Sequence, residues 1–186
     1  MAHISTAVEY ATHCLLYLVS VDDIPPRFSI KDLAQMQGVP PQYLAKIFTK
    51  LRQANLVQAT EGLKGGFQLA RPAAEISMLD IVHAVDGDKS LFDCQNIRTR
   101  CALFNQQPPS WATAGLCSIH AVMVEAEQKM KESLSHHTLD SINNILIEKA
   151  PADYSDQIST WFNDKNSHGK LIANTERTVN NETIAC

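Results

Sequence analysis

Three cysteines crowd one stretch of the chain: Cys94, Cys101 and Cys117, with His120 three positions beyond the last. Thiolates bind zinc and iron–sulfur clusters, and three Cys with one His is also a zinc-site composition. Arg98 and Arg100 flank Cys101. Their charge favours thiolate and would offset the negative charge of a thiolate-ligated cluster. Cys117 and His120 can share a helical face if a helix starts early enough. Six residues separate the first two cysteines and fifteen the last two, so neither gap is a tight CxxC pair. Chemistry alone leaves three readings open: a metal site, a thiol redox switch, or cysteines without a special role. Cys14 lies on the apolar side of a helical stretch and reads as a small core residue, and Cys186 as incidental. Five cysteines in a reducing compartment are not a disulfide framework.

A second chemistry lies upstream. Between Pro41 and Gln53, Leu44, Ile47, Phe48 and Leu51 fall at i, i+3, i+4 and i+7. The opposite face carries Gln42, Ala45, Lys46, Thr49 and Gln53, with Lys50 at its edge and no acid. Amides and hydroxyls can read base edges, and lysines can hold phosphates.

The flanking elements suit that task. Ser29 with Asp32 three residues on is a helix-start signature, Gly38 is a left-handed stop, and Pro41 sits at a first helical position. Val57, Ala59, Phe67 and Leu69 alternate across two short strands, with Gly62, Gly65 and Gly66 between them. A helix-turn-helix followed by a glycine-rich hairpin is a winged helix, whose second helix fits a major groove about 12 Å wide.

Around this core the pattern predicts a helix over residues 4–20 and a second over 78–86. The first carries Val8, Ala11, Leu15 and Leu18 on one face; the second carries Met78, Ile81, Val82 and Val85 and opens on a Ser77/Asp80 cap. His83 beside that stripe reads as a surface or packing residue. Periodicity weakens over 88–117, where Pro108-Pro109 and Gly115 break it. A long helix resumes from Ser118 to about Ser135, with Ile119, Met123, Ala126 and Met130 in a heptad-like stripe that suits helix–helix dimerisation. Thr138 opens a short helix bearing Leu139, Ile142 and Ile145. Beyond Pro151 the chain is rich in Asn, Ser, Thr and Asp, which reads as a mobile tail with one apolar spot at Trp161-Phe162.

The predicted fold is mainly α with a small β-hairpin wing. A winged helix-turn-helix domain occupies 1–87, a cysteine-bearing sensor loop 88–117, a dimerisation helix and its successor 118–150, and a tail 151–186. The net charge of −4 is uneven: residues 1–71 hold 7 Lys+Arg against 5 Asp+Glu, and residues 72–186 hold 9 against 15. A front half at only +2 implies few phosphate contacts per subunit and a need for two subunits. No apolar run approaches the roughly 18 residues of a membrane span, and the N-terminus lacks a secretory pattern, so the expected location is cytoplasmic. No triad, phosphate loop or paired carboxylate suggests an enzyme.

From residue 1 to about 147 the chain resembles the Rrf family of bacterial winged-helix regulators, the group containing IscR, NsrR and CymR. The resemblance rests on EYATHCLLYL, IKDLAQMQGVPPQYLAKIFTKLRQANLV, GLKGGFQLAR, ISMLDIVHAVDG, Cys117-x-x-His120 and LSHHTLDSI. It implies a homodimer on a palindromic double-stranded operator, with Gln42, Ala45, Lys46, Thr49 and Lys50 at a major groove. Lys64 and Gly65 of the wing would lie at the neighbouring minor groove or backbone. It also implies a [2Fe-2S] or [4Fe-4S] cluster on Cys94, Cys101 and Cys117, with His120, or Glu9 of the partner subunit, as fourth ligand. Two features depart from the family pattern: about five residues usually separate the second and third cysteines, and Glu61 stands where IscR-like wings carry arginine.

The expected function is a DNA-binding repressor whose operator affinity follows nitric oxide, iron–sulfur status or redox state through the cluster. A cluster-free regulator using a cysteine thiol/disulfide switch is the alternative. A metal-binding interaction module without DNA binding is a third reading.

Overall fold

The computed structural model describes residues 4–19, 27–60, 65–105 and 107–162. Helix α1 spans Thr6–Leu16 and buries Val8, Ala11, Cys14 and Leu15. It is shorter than the apolar pattern predicts. The chain leaves it in i to i−3 turns, Leu18 N–H to the Leu15 carbonyl and Val19 N–H to that of Leu16, which still bring Leu18 and Val19 into the core.

Helix α2, Ile30–Gln37, starts where its cap predicts: the Ser29 hydroxyl oxygen accepts the Asp32 N–H at 3.1 Å. It stops at Gly38, whose φ of 65° is the left-handed conformation that ends helices without a Cβ penalty. Helix α3, Pro41–Gln53, has Pro41 in its first turn and buries Leu44, Ile47, Phe48 and Leu51, the apolar stripe read from the sequence.

Strands β1 (Val57–Thr60) and β2 (Gly66–Leu69) form an antiparallel hairpin in which Ala59 faces Phe67 and Val57 faces Leu69. Phe28 adds a one-residue bridge to the free edge of β2, exchanging hydrogen bonds with Phe67 at 2.9 and 3.3 Å. Glu61, Gly62 and Lys64, which the sequence reading assigns to the wing, and Cys186 lie outside the described residues.

Helix α4 (Met78–Asp86) opens on a reciprocal Ser77/Asp80 capping box and packs on α1 and α3. Residues 88–117 hold only short pieces: single turns at Ile97–Arg100 and Ala102–Phe104, and α5 at Ser110–Thr113. Helix α6 runs Ser118–His136 with no buried residue, and α7 runs Leu139–Lys149. The starts of α4 and α7 are pinned together, Met78 N–H to the His137 carbonyl at 2.8 Å and Leu139 N–H to that of Ile76 at 2.9 Å.

The mobile-tail expectation fails for its first part. Residues 154–162 are helical, Phe162 is buried, and Ile158 and Trp161 pack against the core. Tyr154, Ile158, Trp161 and Phe162 form a one-sided stripe at i, i+4, i+7 and i+8.

Candidate functional site

The apolar stripe of α3 locks that helix into the core, and its other face is left to solvent. Gln42, Ala45, Lys46 and Thr49 are all exposed there, and no acid lies in the first turn. The Thr49 hydroxyl donates to the Ala45 carbonyl at 2.9 Å, so its oxygen remains free to accept. Lys50 differs from expectation. It is exposed, but its Nζ donates to the Val85 carbonyl at the end of α4. That ammonium satisfies a helix C-terminus, where cations are favoured, and fastens α3 to α4.

Two groups join the polar face that the sequence reading passed over. Tyr43 is 42% exposed in the first turn of α3, its ring edge-on to Tyr10 with centroids 6.1 Å apart. Arg27 lies one residue before the Phe28 bridge, and its Nε donates to Gln68 Oε1 of β2 at 3.1 Å. This bond holds a guanidinium along the wing with further N–H donors free for phosphate. Only the Phe28–Phe67 pairing brings Arg27 there, and no local sequence signal announces it. Gly65 is exposed at the mouth of the hairpin. Gly66 is there for close approach: a Cβ on it would stand 2.8 Å from the Phe28 carbonyl oxygen.

The thiols form a separate region. Cys117 is the residue that caps α6 rather than part of its face. No side-chain capping hydrogen bond forms there, but the nearby backbone N–H groups of His120 and Ile119, in that order of effect, and the Arg98 charge hold the thiol below its ordinary pKa against an opposing desolvation effect. Arg98 is itself fixed, donating from Nη2 to the Gly115 carbonyl at 2.6 Å and from Nε to Asn96 Oδ1 at 2.9 Å. His120 meets Cys117 through its backbone, while its ring lies 5.9 Å from that of Phe92. Cys94 is half-buried and Cys101 exposed, and both are free thiols.

Among the described residues, no three of His, Cys, Asp and Glu come together where they could hold a metal ion. Cys94, Cys101, Cys117 and His120 are thus neighbours in sequence but not an assembled donor set. Glu9 is exposed on α1, on the rim of an open groove of about 450 Å³ shared with His13, Leu16 and Met78. Cys14 is fully buried, and burial pushes its thiol up to about 12, so it is inert.

A polar clasp ties the start of the thiol segment to α6. Lys131 Nζ reaches Asp88 Oδ1 at 2.8 Å and Glu127 Oε1 at 2.9 Å, and Glu127 Oε2 accepts the Leu91 N–H at 2.9 Å. The bonds to Lys131 hold the Asp88 and Glu127 carboxyls below their usual range and raise the Lys131 ammonium. His83 Nε2 stands 3.6 Å from the same Asp88 oxygen. Residues 91–117 therefore leave α6 near its middle and rejoin it at its first residue.

A helix-turn-helix carrying an exposed lysine-and-amide face, flanked by a hairpin wing, defines a winged-helix DNA-binding protein. The chain belongs to the Rrf2 family, described as iron-dependent transcriptional regulators, which matches residues 4–144. The family is one of transcriptional regulators rather than of enzymes. Protein rrf2 of Nitratidesulfovibrio vulgaris is 30% identical over 136 residues, 73% of this chain and 83% of that protein. The HTH-type regulator Rv1287 of Mycobacterium tuberculosis is 40% identical over 83 residues, 45% of this chain, and the match spans about half (51%) of that relative's length.

Among solved structures, CymR, the global cysteine regulator of B. subtilis, superposes with a TM-score of 0.56 at 22% identity, covering 78% of this chain and 98% of CymR. IscR of T. potens gives 0.57 at 22% identity, covering 81% and 92%. These likenesses establish the winged-helix fold. No helix among the described residues is long and apolar enough to cross a membrane.

Proposed function

We propose that the protein is a homodimeric transcriptional repressor that reads a palindromic double-stranded operator and releases it when thiols of the 88–117 segment are oxidised. The acid-free outer face of α3 beside the wing carries the DNA-reading part. Gln42, Ala45 and Thr49 would meet base edges, and Lys46, Arg27 and Lys64 would meet phosphates. Helix α6 supports the dimer: though it packs on α4, none of its residues is fully buried, and Ile119 and Val122 are 63% and 64% exposed. Its predicted partner is the same helix of a second copy.

The sensing step uses Cys117. Its thiolate attacks a peroxide, the O–O bond breaks, and the sulfur becomes a sulfenic acid with hydroxide leaving. Condensation with the Cys94 or Cys101 thiol forms the disulfide and releases water. Either product changes the side chain that stands at the start of α6. Because the same segment is clasped to α6 through Lys131, reshaping it moves α6 against α4 and alters the spacing of two α3 helices, which must stay about 34 Å apart.

A second reading places an iron–sulfur cluster on Cys94, Cys101 and Cys117, with nitric oxide or cluster status as the signal. The donor chemistry suits it, but the donors do not converge as they stand. The thiol reading is put first because it needs only two sulfurs to meet, where a cluster needs three or more donors together.

One experiment separates them. Protein purified without oxygen is assayed for iron, sulfide and visible absorbance, then used to select duplexes from a random library before and after mild peroxide. The thiol reading expects colourless, iron-free protein that selects a palindrome and loses it with a lower thiol count. Brown protein with stoichiometric iron, colourless as Cys101→Ala, replaces it with the cluster. Monomeric protein that selects nothing refutes both.

A further inference from the structure

We infer that the C-terminal segment 151–162, beyond the residues matched by the family, is a positioning element of the DNA reader: Phe162 holds Phe28 against β2 and thereby sets the wing. The Phe162 ring stacks on Phe28, centroids 3.6 Å apart and planes 16° from parallel, and lies edge-on to Tyr17 at 6.2 Å. Phe28 exchanges two hydrogen bonds with Phe67 of β2, and the Phe67 ring meets Phe48, buried in α3, at 5.1 Å. Packing thus runs unbroken from Phe162, through the wing, to the underside of the DNA-reading helix.

The wing needs such support. A two-stranded hairpin of four-residue strands is marginal by itself. Its third member is a single bridged residue, and two peptide hydrogen bonds contribute little beyond their exchange with water. The stacked aromatic face is what makes the Phe28 bridge persist, and with it the placement of Arg27 on Gln68. Phe162 touches no DNA in this scheme; it acts through Phe28.

The inference rests on the DNA-reading proposal, and its test fails separately. The probe is the tightest-binding duplex that the full-length wild-type protein selects from a random library. In Phe162→Ala, amide exchange at Phe28 and Phe67 is expected to quicken at least tenfold, while the Ala11–Leu15 amides of α1 keep their wild-type protection. The Kd for the probe should rise three- to tenfold. The slope of log K against log salt should fall by about one for each phosphate the wing no longer reaches. Phe162→Leu, which keeps apolar bulk but not the stack, should fall between the two and carries the same measurements if the alanine variant does not fold. Equal loosening of α1 and the wing would make Phe162 a general stabiliser and overturn the inference, as would unchanged affinity and slope. A wild-type protein that selects no duplex removes the DNA reading itself.

Discussion

Replacing Gly66 by alanine should loosen the wing by an amount the geometry sets. The new Cβ would stand 2.8 Å from the Phe28 carbonyl oxygen and 2.9 Å from its carbon, both backbone atoms that cannot swing aside. Ordinary contact begins near 3.4 Å, so the Phe28 strand must retreat about 0.6 Å. Its two hydrogen bonds with Phe67, now 2.9 and 3.3 Å, would lengthen to about 3.5 and 3.9 Å, past useful range. Two such bonds contribute about 1–3 kcal/mol, and the lower chain entropy of alanine returns roughly 0.5 kcal/mol. The net loss is about 0.5–2.5 kcal/mol, or roughly 2–8 °C in Tm for a chain of this size. Gly38→Ala is the control: at φ 65° it has backbone strain but nothing within 4 Å of the added atom. Urea denaturation should show both variants destabilised, that control by about 1 kcal/mol. Amide exchange at Phe28 and Phe67 should quicken beyond the general destabilisation only in Gly66→Ala. If Gly66→Ala keeps wild-type stability and wing exchange, the close approach is not there and the argument from it fails.

Lys46 and Lys50 should part company. Lys46→Ala is expected to weaken operator binding and lower the salt slope by about one, leaving thermal stability unchanged. Lys50→Ala should lower Tm first, because its ammonium rests on the Val85 carbonyl; equal effects on binding would return Lys50 to the DNA face. Native alkylation followed by mass spectrometry should modify Cys117 with a midpoint below that of an ordinary thiol, returning to ordinary in denaturant, while Cys14 stays unlabelled until the protein unfolds. The signs are opposite. A lowered Cys117 value adds stability above the pH where the unfolded thiol ionises, and this is lost as pH falls through the folded value. The raised Cys14 value adds stability that is complete below about 9 and lost as pH climbs toward about 12.

The reading head was legible because its signals are local. The Ser29 and Ser77 caps, the Gly38 stop and the α3 stripe each lie within one helical turn or two, and each stands where the residues predict. What escaped is long-range. Lys50 finds its acceptor 35 residues away, and Phe28 finds Phe67 only after the hairpin has formed. The last helix escaped for a different reason: its stripe is plain, but Asn, Ser and Asp around it dominate the composition that marks a tail. For the thiols, nearness in sequence is not by itself convergence in space: two single turns and α5 lie between Cys94 and Cys117, and the donors stand apart among the described residues.

That arrangement bears on why regulation belongs in the second half. Among the described residues, all the buried apolar side chains lie between Val8 and Val85 except Leu139 and Phe162. The 88–117 segment and α6 contribute none, so little hydrophobic burial fixes their geometry within one chain. Helix α6 rests on α4 without fully burying a residue, and the proposed partner helix would complete its packing. An element held this way can change arrangement for a few kcal/mol, whereas disturbing the α1–α4 core would unfold the reader. A disulfide supplies about 2–4 kcal/mol of constraint, and each 1.4 kcal/mol is about tenfold in operator affinity. Thiol chemistry at Cys117 can therefore move the two reading heads relative to each other without reaching the structure of either.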